Sequence, residues 1–581
     1  MRTQAIAVLT LLLSTTVGAA ADVYPRQPGI SVKGYTFDIT LNDASNDIAV
    51  RATMNLEFVA TGVTTVELDL CQLTAAPRPA RTAAGLGDPC AEPPARGERP
   101  GPSGGKGMTV TGVTSDGTTL GFQHDRDRVR VTLPRAFAVG DRFAFTVAYH
   151  GVPANGFLIA NNKYGDRSFV SNSWPDKARN HLASIDHPSV KAPVTTIVTA
   201  PRHYQVVSNG LMTQEADLPG NLRRTTWKQA VPISTWLMSL AVAPYAVDYF
   251  GSYHGVQLSS WVYPQEHESG YSAFSAHTRS ILGFFSDRIG PYSYEKLAHV
   301  QANGVGGGME LASSIFYGYG ENGPGRQLIA HEMAHQWFGD AVTEADWDDV
   351  WLSEGFATYF ALLYTEYQDG RDAFLEGVRK SKTQAVNYAI ANPGSTIVHD
   401  NLADIGSVID NGAQIYQGGA QVLHNIRGVI GTDAFWAGIR AYHRRYRDST
   451  ATTADLRKAF EEACAAAAKC SADGRDLSWL FKELLAGGGA LQVDATWRYD
   501  ASARQLRLTM TQTQTTGLYR MPIEVQVTTA GGASTHVVQL TDKSQTFMIP
   551  SATDPAGVAL DPNAWVFMRS SIARARAIPR Q

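Results

Sequence analysis

Cysteine is almost absent: four occur in 581 residues, Cys71, Cys90, Cys464 and Cys470. Neither neighbouring pair has C-x-x-C spacing, which argues against a thiolate metal site, while two sequence-local pairs suit two disulfides in an oxidising compartment. An excess of charge of one sign is lacking too, since 50 Lys and Arg face 54 Asp and Glu for a formal net charge of -4. The basic residues are scattered rather than striped, so no nucleic-acid partner is expected. Nor does any apolar run reach the ~20 residues that a membrane-spanning helix needs. The longest follows Arg2, from Ala5 to Leu13, and gives way to Gly18-Ala19-Ala20-Ala21. That is the layout of a secretory signal peptide over 1–21, with Ala19 and Ala21 at the −3 and −1 positions. The expected mature chain starts near Asp22, is exported to the periplasm or secreted, and has no membrane partner once the signal is removed.

What is present describes an ordinary globular protein, 44% hydrophobic and 18% charged, too long for one core and without an internal repeat. Residues 22–249 alternate apolar and polar, as in Thr53-Met54-Asn55-Leu56-Glu57-Phe58-Val59, and predict an amino-terminal β domain. Within it, residues 72–107 are rich in Pro, Gly, Ala and Arg without an apolar period, and read as a flexible insertion. Residues 250–486 change to three- and four-residue apolar spacing, with helices expected at Ala273–Ile289, Arg326–Gly339, Trp351–Tyr367 and Ala420–Ile430. After Gly487-Gly488-Gly489 alternation returns, and residues 490–575 predict a small β-sandwich. The fold class expected is multidomain α+β.

The chemistry concentrates in His331-Glu332-Met333-Ala334-His335. Residues four apart share one helical face, so both imidazoles can reach one ion. Zinc takes such nitrogens, and a catalytic zinc commonly keeps three protein ligands and one position for water. Glu332, between the histidines, is placed to take a proton from that water. The third ligand expected is Glu354, nineteen residues after His335, in Trp351-Leu352-Ser353-Glu354-Gly355-Phe356-Ala357. A turn-rich stretch from Asp340 to Asp349 would fold its helix back beside the first. Asp340, Thr343 and Trp347 lie between these helices, with no role assigned to them.

This set of motifs resembles the aminopeptidase N family of gluzincin zinc metallopeptidases, which also includes leukotriene hydrolases. Gly307-Gly308-Met309-Glu310 is similar to the family's G-x-M-E-N segment. The resemblance implies that this strand pairs with substrate backbone and that Glu310 holds the free α-amine; Leu311 replaces the family Asn. Tyr416, in Tyr416-Gln417-Gly418-Gly419-Ala420, resembles the family tyrosine that donates to the developing oxyanion, with Gly418 in place of Lys. Asp176-Lys177-Ala178-Arg179 through Asp186-His187-Pro188 and on to Lys191 resembles an amino-domain signature, expected to pack that domain onto the catalytic one. Trp174 stands where relatives carry a second amine anchor. The resemblance implies a β saddle, a thermolysin-like, mostly helical catalytic domain and a β-sandwich. It also implies one Zn2+ per chain and peptide substrates with a free amino terminus. An endopeptidase, an epoxide hydrolase and a catalytically inactive peptide-binding relative are the alternatives.

Overall fold

The computed structural model of the protein describes residues 22–74, 78, 88–92, 105–318, 323–400, 402, 405, 412–468, 470 and 472–575. The signal-peptide reading of 1–21 and most of the 72–107 insertion lie outside these residues. Where the sequence alternates, strands form. Ile48–Phe58 buries every second side chain from Ile48 to Phe58, as a strand with one covered face must. It is a central strand of an eight-stranded sheet, between Ile30–Thr40 and Arg142–Val152. Ile30–Thr40 pairs on its other edge with Lys191–Pro201, in parallel. Smaller sheets of four and three strands complete the amino-terminal region. Cys71 and Cys90 are bonded there, and Cys464, in the last turn of the Thr453–Ala466 helix, is bonded to Cys470 beyond it.

A second sheet of five strands starts with Ala246–Tyr253, which runs across residue 249 and pairs with Val256–Val262. The order continues through Lys296–Gln301 and Ser314–Tyr317 to Gly308–Met309. Gly308–Met309 is therefore an edge strand, antiparallel to Ser314–Tyr317. Four helices pack on or beside this sheet: α1 (His267–Arg288), α2 (Arg326–His335), α3 (Trp351–Asp369) and α4 (Arg371–Ala391). Helices α2, α3 and α4 are neighbours in that order. The α3 helix is mostly apolar in sequence, and twelve of its residues are buried, which makes it the axis of the helical region. After Gly419–Ile430 and three further α-helices among the described residues, strands from Leu491 to Arg574 form two sheets of four and three strands. No helix among the described residues is long and apolar enough to cross a membrane.

The 176–191 segment divides its contacts. Arg179 Nε donates to Asp186 Oδ2 at 3.0 Å, and Thr235 Oγ1 to Asp186 Oδ1 at 2.7 Å, so these partners stay within the amino-terminal region. Its last residue, Lys191, reaches into the helical region as the sequence leads one to expect, and Arg26 does so from outside the segment. Lys191 Nζ donates to the carbonyls of Asp340 (2.8 Å) and Ala341 (2.9 Å) and to Thr343 Oγ1 (3.0 Å). Arg26 pairs with Asp346 at 2.8 Å. Both grip the turn between α2 and α3.

Candidate active site

Helix α2 sets His331 and His335 one turn apart on a single face, and their rings meet edge-on with centroids 4.8 Å apart. The chain then leaves α2, makes the short strand Val342–Glu344, and re-enters helix through a 3-10 turn at Trp347–Asp349. Asp346 caps that turn by accepting the Asp348 N–H at 3.2 Å. The cap fixes where α3 begins and brings Glu354, in its first turn, against α2. His331 Nε2 and His335 Nε2 lie 3.2 Å apart, and Glu354 Oε2 lies 3.4 Å from the first and 3.2 Å from the second. Tetrahedral ligands held at ~2.0–2.1 Å from zinc are separated by about 3.3–3.4 Å. The triangle of donor atoms thus has the edges that one zinc ion would impose.

The surroundings fit a cation. Glu310, Glu332 and Glu354 are each about 5% exposed or less, and no Lys or Arg side chain pairs with any of them among the described residues. Buried carboxylates without positive partners are costly. Burial alone lowers the basicity of His335, yet Glu310, Glu354 and Glu332 outweigh it and hold its pKa well above the usual range. For Glu332, burial with the charges of Glu310 and Glu354 pushes the carboxyl well up. Glu354 moves the opposite way: burial would raise it, but the two histidines hold it well below the ordinary carboxylate range. It is the carboxylate most ready to ligate.

A second trio of donors, Glu310, Glu332 and His335, also converges within 4.8 Å. The nitrogens of His335 decide between the two. Its Nδ1, the one nearer Glu310 at 3.9 Å, lies 3.0 Å from Ser353 Oγ and 3.3 Å from the Phe338 carbonyl. A proton on Nδ1 donates to these acceptors and leaves Nε2 as the ligating atom, which is the arrangement ligating histidines adopt. Ser353 is a residue that the sequence does not single out, since a serine one position before a ligand has no spacing signature.

Glu332 packs its carboxyl against the Gly308–Met309 edge strand. A Cβ at Gly308 would stand 2.3 Å from Glu332 Oε1, so only glycine lets the strand backbone lie on this carboxylate. Glu310 follows in the same segment, anchored by its backbone carbonyl, which accepts Gln336 Nε2 at 2.7 Å. Its side-chain Oε1 is buried with no hydrogen-bond partner, and burial, with Glu354 adding to it, raises the carboxyl to about 7. Gln336 also donates to Asp340 Oδ2 at 2.7 Å, so Asp340 braces the glutamine and makes no hydrogen bond to a histidine.

Tyr416 sits in a π-helical turn, Ala413–Gly418. Its hydroxyl donates to Glu354 Oε1 at 2.7 Å and its ring lies parallel to that of His331, centroids 6.0 Å apart. Burial and the Glu354 charge push its pKa well up, so it keeps its proton. A cleft of about 730 Å3 connects all these groups, walled by Gly306–Gly308 and Glu310 on one side and by α3 and α4 on the other. The structure therefore brings Gly307, Gly308, Glu310, His331, Glu332, His335, Glu354 and Tyr416 to one cavity. Met309, between them, is buried at 6% exposure.

Comparison with known proteins bears on the same segments. The peptidase family M1 domain matches residues 322–483, and the peptidase M1 N-terminal domain matches residues 108–237. Glutamyl aminopeptidase of Sus scrofa is 30% identical over 309 residues, which are 50% of this chain and 32% of that protein. Glutamyl aminopeptidase of Homo sapiens is likewise 30% identical over 309 residues, with the same coverage of 50% and 32%. Aminopeptidase A of Gloydius brevicauda is 28% identical over 332 residues, 53% of this chain and 34% of that one. The chain thus spans about a third of the length of these curated relatives. A crystal structure of the M1 zinc metallopeptidase from Deinococcus radiodurans has the same fold, with a TM-score of 0.61 at 23% identity, covering 78% of this chain and 93% of that one.

Proposed function

The chain belongs to peptidase family M1, and from that premise we propose that it is a zinc-dependent aminopeptidase, exported from the cytoplasm, that removes amino-terminal residues from peptides. The observation that carries the reading is the triangle of His331 Nε2, His335 Nε2 and Glu354 Oε2, with edges of 3.2–3.4 Å. One zinc per chain fits it, and when bound supplies a Lewis acid that polarises the scissile carbonyl and makes water acidic at neutral pH. The rest is done by side chains. Glu332, beside the triangle and backed by Gly308, takes a proton from the attacking water and returns it to the leaving amine. Tyr416, whose hydroxyl donates to Glu354 at 2.7 Å before substrate arrives, turns that one O–H to the oxygen that gains charge.

Exopeptidase action rests on Glu310. Its unpartnered buried oxygen gives a substrate ammonium a charge-assisted hydrogen bond, and an amine-blocked peptide leaves that carboxylate uncompensated. Among the described residues the edge strand Gly308–Met309 has one side unpaired in its sheet, which suits addition of the peptide backbone as a further strand. The role of the 22–249 β domain is to cover and brace this centre, and that of the 490–575 domain is to pack against its helices.

The test is turnover of aminoacyl-arylamides and their amine-blocked counterparts, with and without a chelator. Free-amine substrates should be hydrolysed, the chelator should stop hydrolysis, and Glu332→Gln should retain zinc yet lose at least ~10²-fold in rate. Equal hydrolysis of blocked substrates would show an endopeptidase instead, and hydrolysis untouched by metal removal would refute the zinc mechanism.

A further inference from the structure

We propose that Lys380 on α4 receives a carboxylate of the substrate downstream of the cleaved bond, so that the cleft reads both charged ends of a short peptide. The proposal rests on the aminopeptidase reading of the site and extends it to the class of peptide taken.

Charge is distributed unevenly along the cleft. Glu310, Glu332 and Glu354 cluster with the two histidines, and Lys380 is the only Lys or Arg among the described residues that line the cleft. Lys380 belongs to a stripe along α4, with Ala373 and Gly377 before it and Gln384 after it, the spacing of one helical face. The small residues at 373 and 377 leave room there, and Gly377 lies close on α3, where a Cβ would stand 2.6 Å from Leu362 Cδ2. Helices α2, α3 and α4 pack in succession, and Glu310 beside α2 and Lys380 on α4 both line the one cavity.

The other basic residues of α4 are all engaged. Arg371 donates to Glu366 at 2.7 Å, Arg379 to the Pro562 carbonyl at 2.8 Å, and Lys382 to Asp561 at 2.7 Å. Lys380 alone is exposed to the cleft, and among the described residues nothing pairs with it. A flexible ammonium beyond the zinc triangle, with an ammonium-seeking carboxylate before it, complements a zwitterionic oligopeptide aligned from Glu310 toward α4. The carboxylate can come from the peptide's own terminus or from an Asp or Glu side chain, and the chemistry at Lys380 is the same.

The zinc-loaded Glu332→Gln protein provides the test, because binding can be measured without turnover. Calorimetric titration would compare trialanine as the free acid, trialanine amide, and the amide of Ala-Ala-Asp. The free acid should bind about tenfold tighter than the amide, the scale of one hydrogen bond to a charged group. Lys380→Met should erase that preference and Lys380→Arg should keep most of it. Recovery of affinity in Ala-Ala-Asp amide would assign the site to acidic side chains as well as termini. Equal affinity for all three ligands, or a preference that survives Lys380→Met, overturns the proposal. Absence of arylamide turnover by the unsubstituted protein would instead count against the aminopeptidase reading, whatever the titrations give.

Discussion

Gly308 shows how a residue without a side chain can be part of a catalytic arrangement. Its importance lies in what stands behind it, the Glu332 carboxyl 2.3 Å from where a Cβ would be. Gly308→Ala should leave zinc content unchanged while lowering kcat by roughly 10²-fold, because a displacement of ~1 Å at a reacting group is that costly. Metal analysis alongside steady-state kinetics would check it, and a parallel loss of zinc would contradict the assignment. Ser353 is the complementary case, acting only through His335 Nδ1 at 3.0 Å. Ser353→Ala should weaken zinc binding by about 10–100-fold, read by competition with a chromogenic chelator, with kcat near normal at saturating zinc. The pairing of His331 and His335, with Glu332 between them, is legible in the sequence because helical spacing puts 331 and 335 on one face. Ser353 and Gln336 are not, since their partners come from turns and strands whose approach depends on tertiary packing.

At the scale of elements, the critical unit is α2, the turn after it, and α3. The turn carries Asp340, Thr343 and Glu344, all buried at 1% exposure or less, and its carbonyls are held by Lys191 from the amino-terminal sheet. Helix ends were readable to within six residues: α1 starts at His267 rather than Ala273, and α2 stops at His335 rather than Gly339, where the chain turns and Lys191 holds the Asp340 carbonyl. The turn-rich stretch from Asp340 to Asp349 was readable, but its anchoring was not, since a distant lysine holds its carbonyls. Burial lowers the Lys191 amine from 10.5 to about 8, against the raising effect of Asp448, Asp340 and Glu344. Between those pH values the unfolded chain keeps a proton that the folded chain has released, so this group makes stability rise with pH across that window. Urea midpoints from pH 8 to 10 should show a slope that Lys191→Met reduces. An identical slope in that variant would place the titration elsewhere.

For the whole molecule, the ligand-bearing helices belong to an apolar core that runs through Trp337, Trp351, Phe356 and Phe360, all nearly inaccessible. Zinc is therefore not needed to organise the fold, unlike in small domains that are unfolded without metal. Stripping the ion with a strong chelator should abolish hydrolysis while leaving far-UV circular dichroism unchanged, and added zinc should restore activity. Collapse of the spectrum would mean that the core depends on the ion. The three-part division was visible in the change from alternation to helical spacing and back, whereas the strand across residue 249 was hidden because both sides of the junction alternate.

The grip of Lys191 has an engineering consequence. A fragment cut at the start of the second sheet would contain all three proposed metal ligands and still lack Lys191 and Arg26, the cations that grip the loop joining them. The proposed zinc centre is thus not a portable cassette, and any chimera that exchanges the leading β domain must import replacements for both cations.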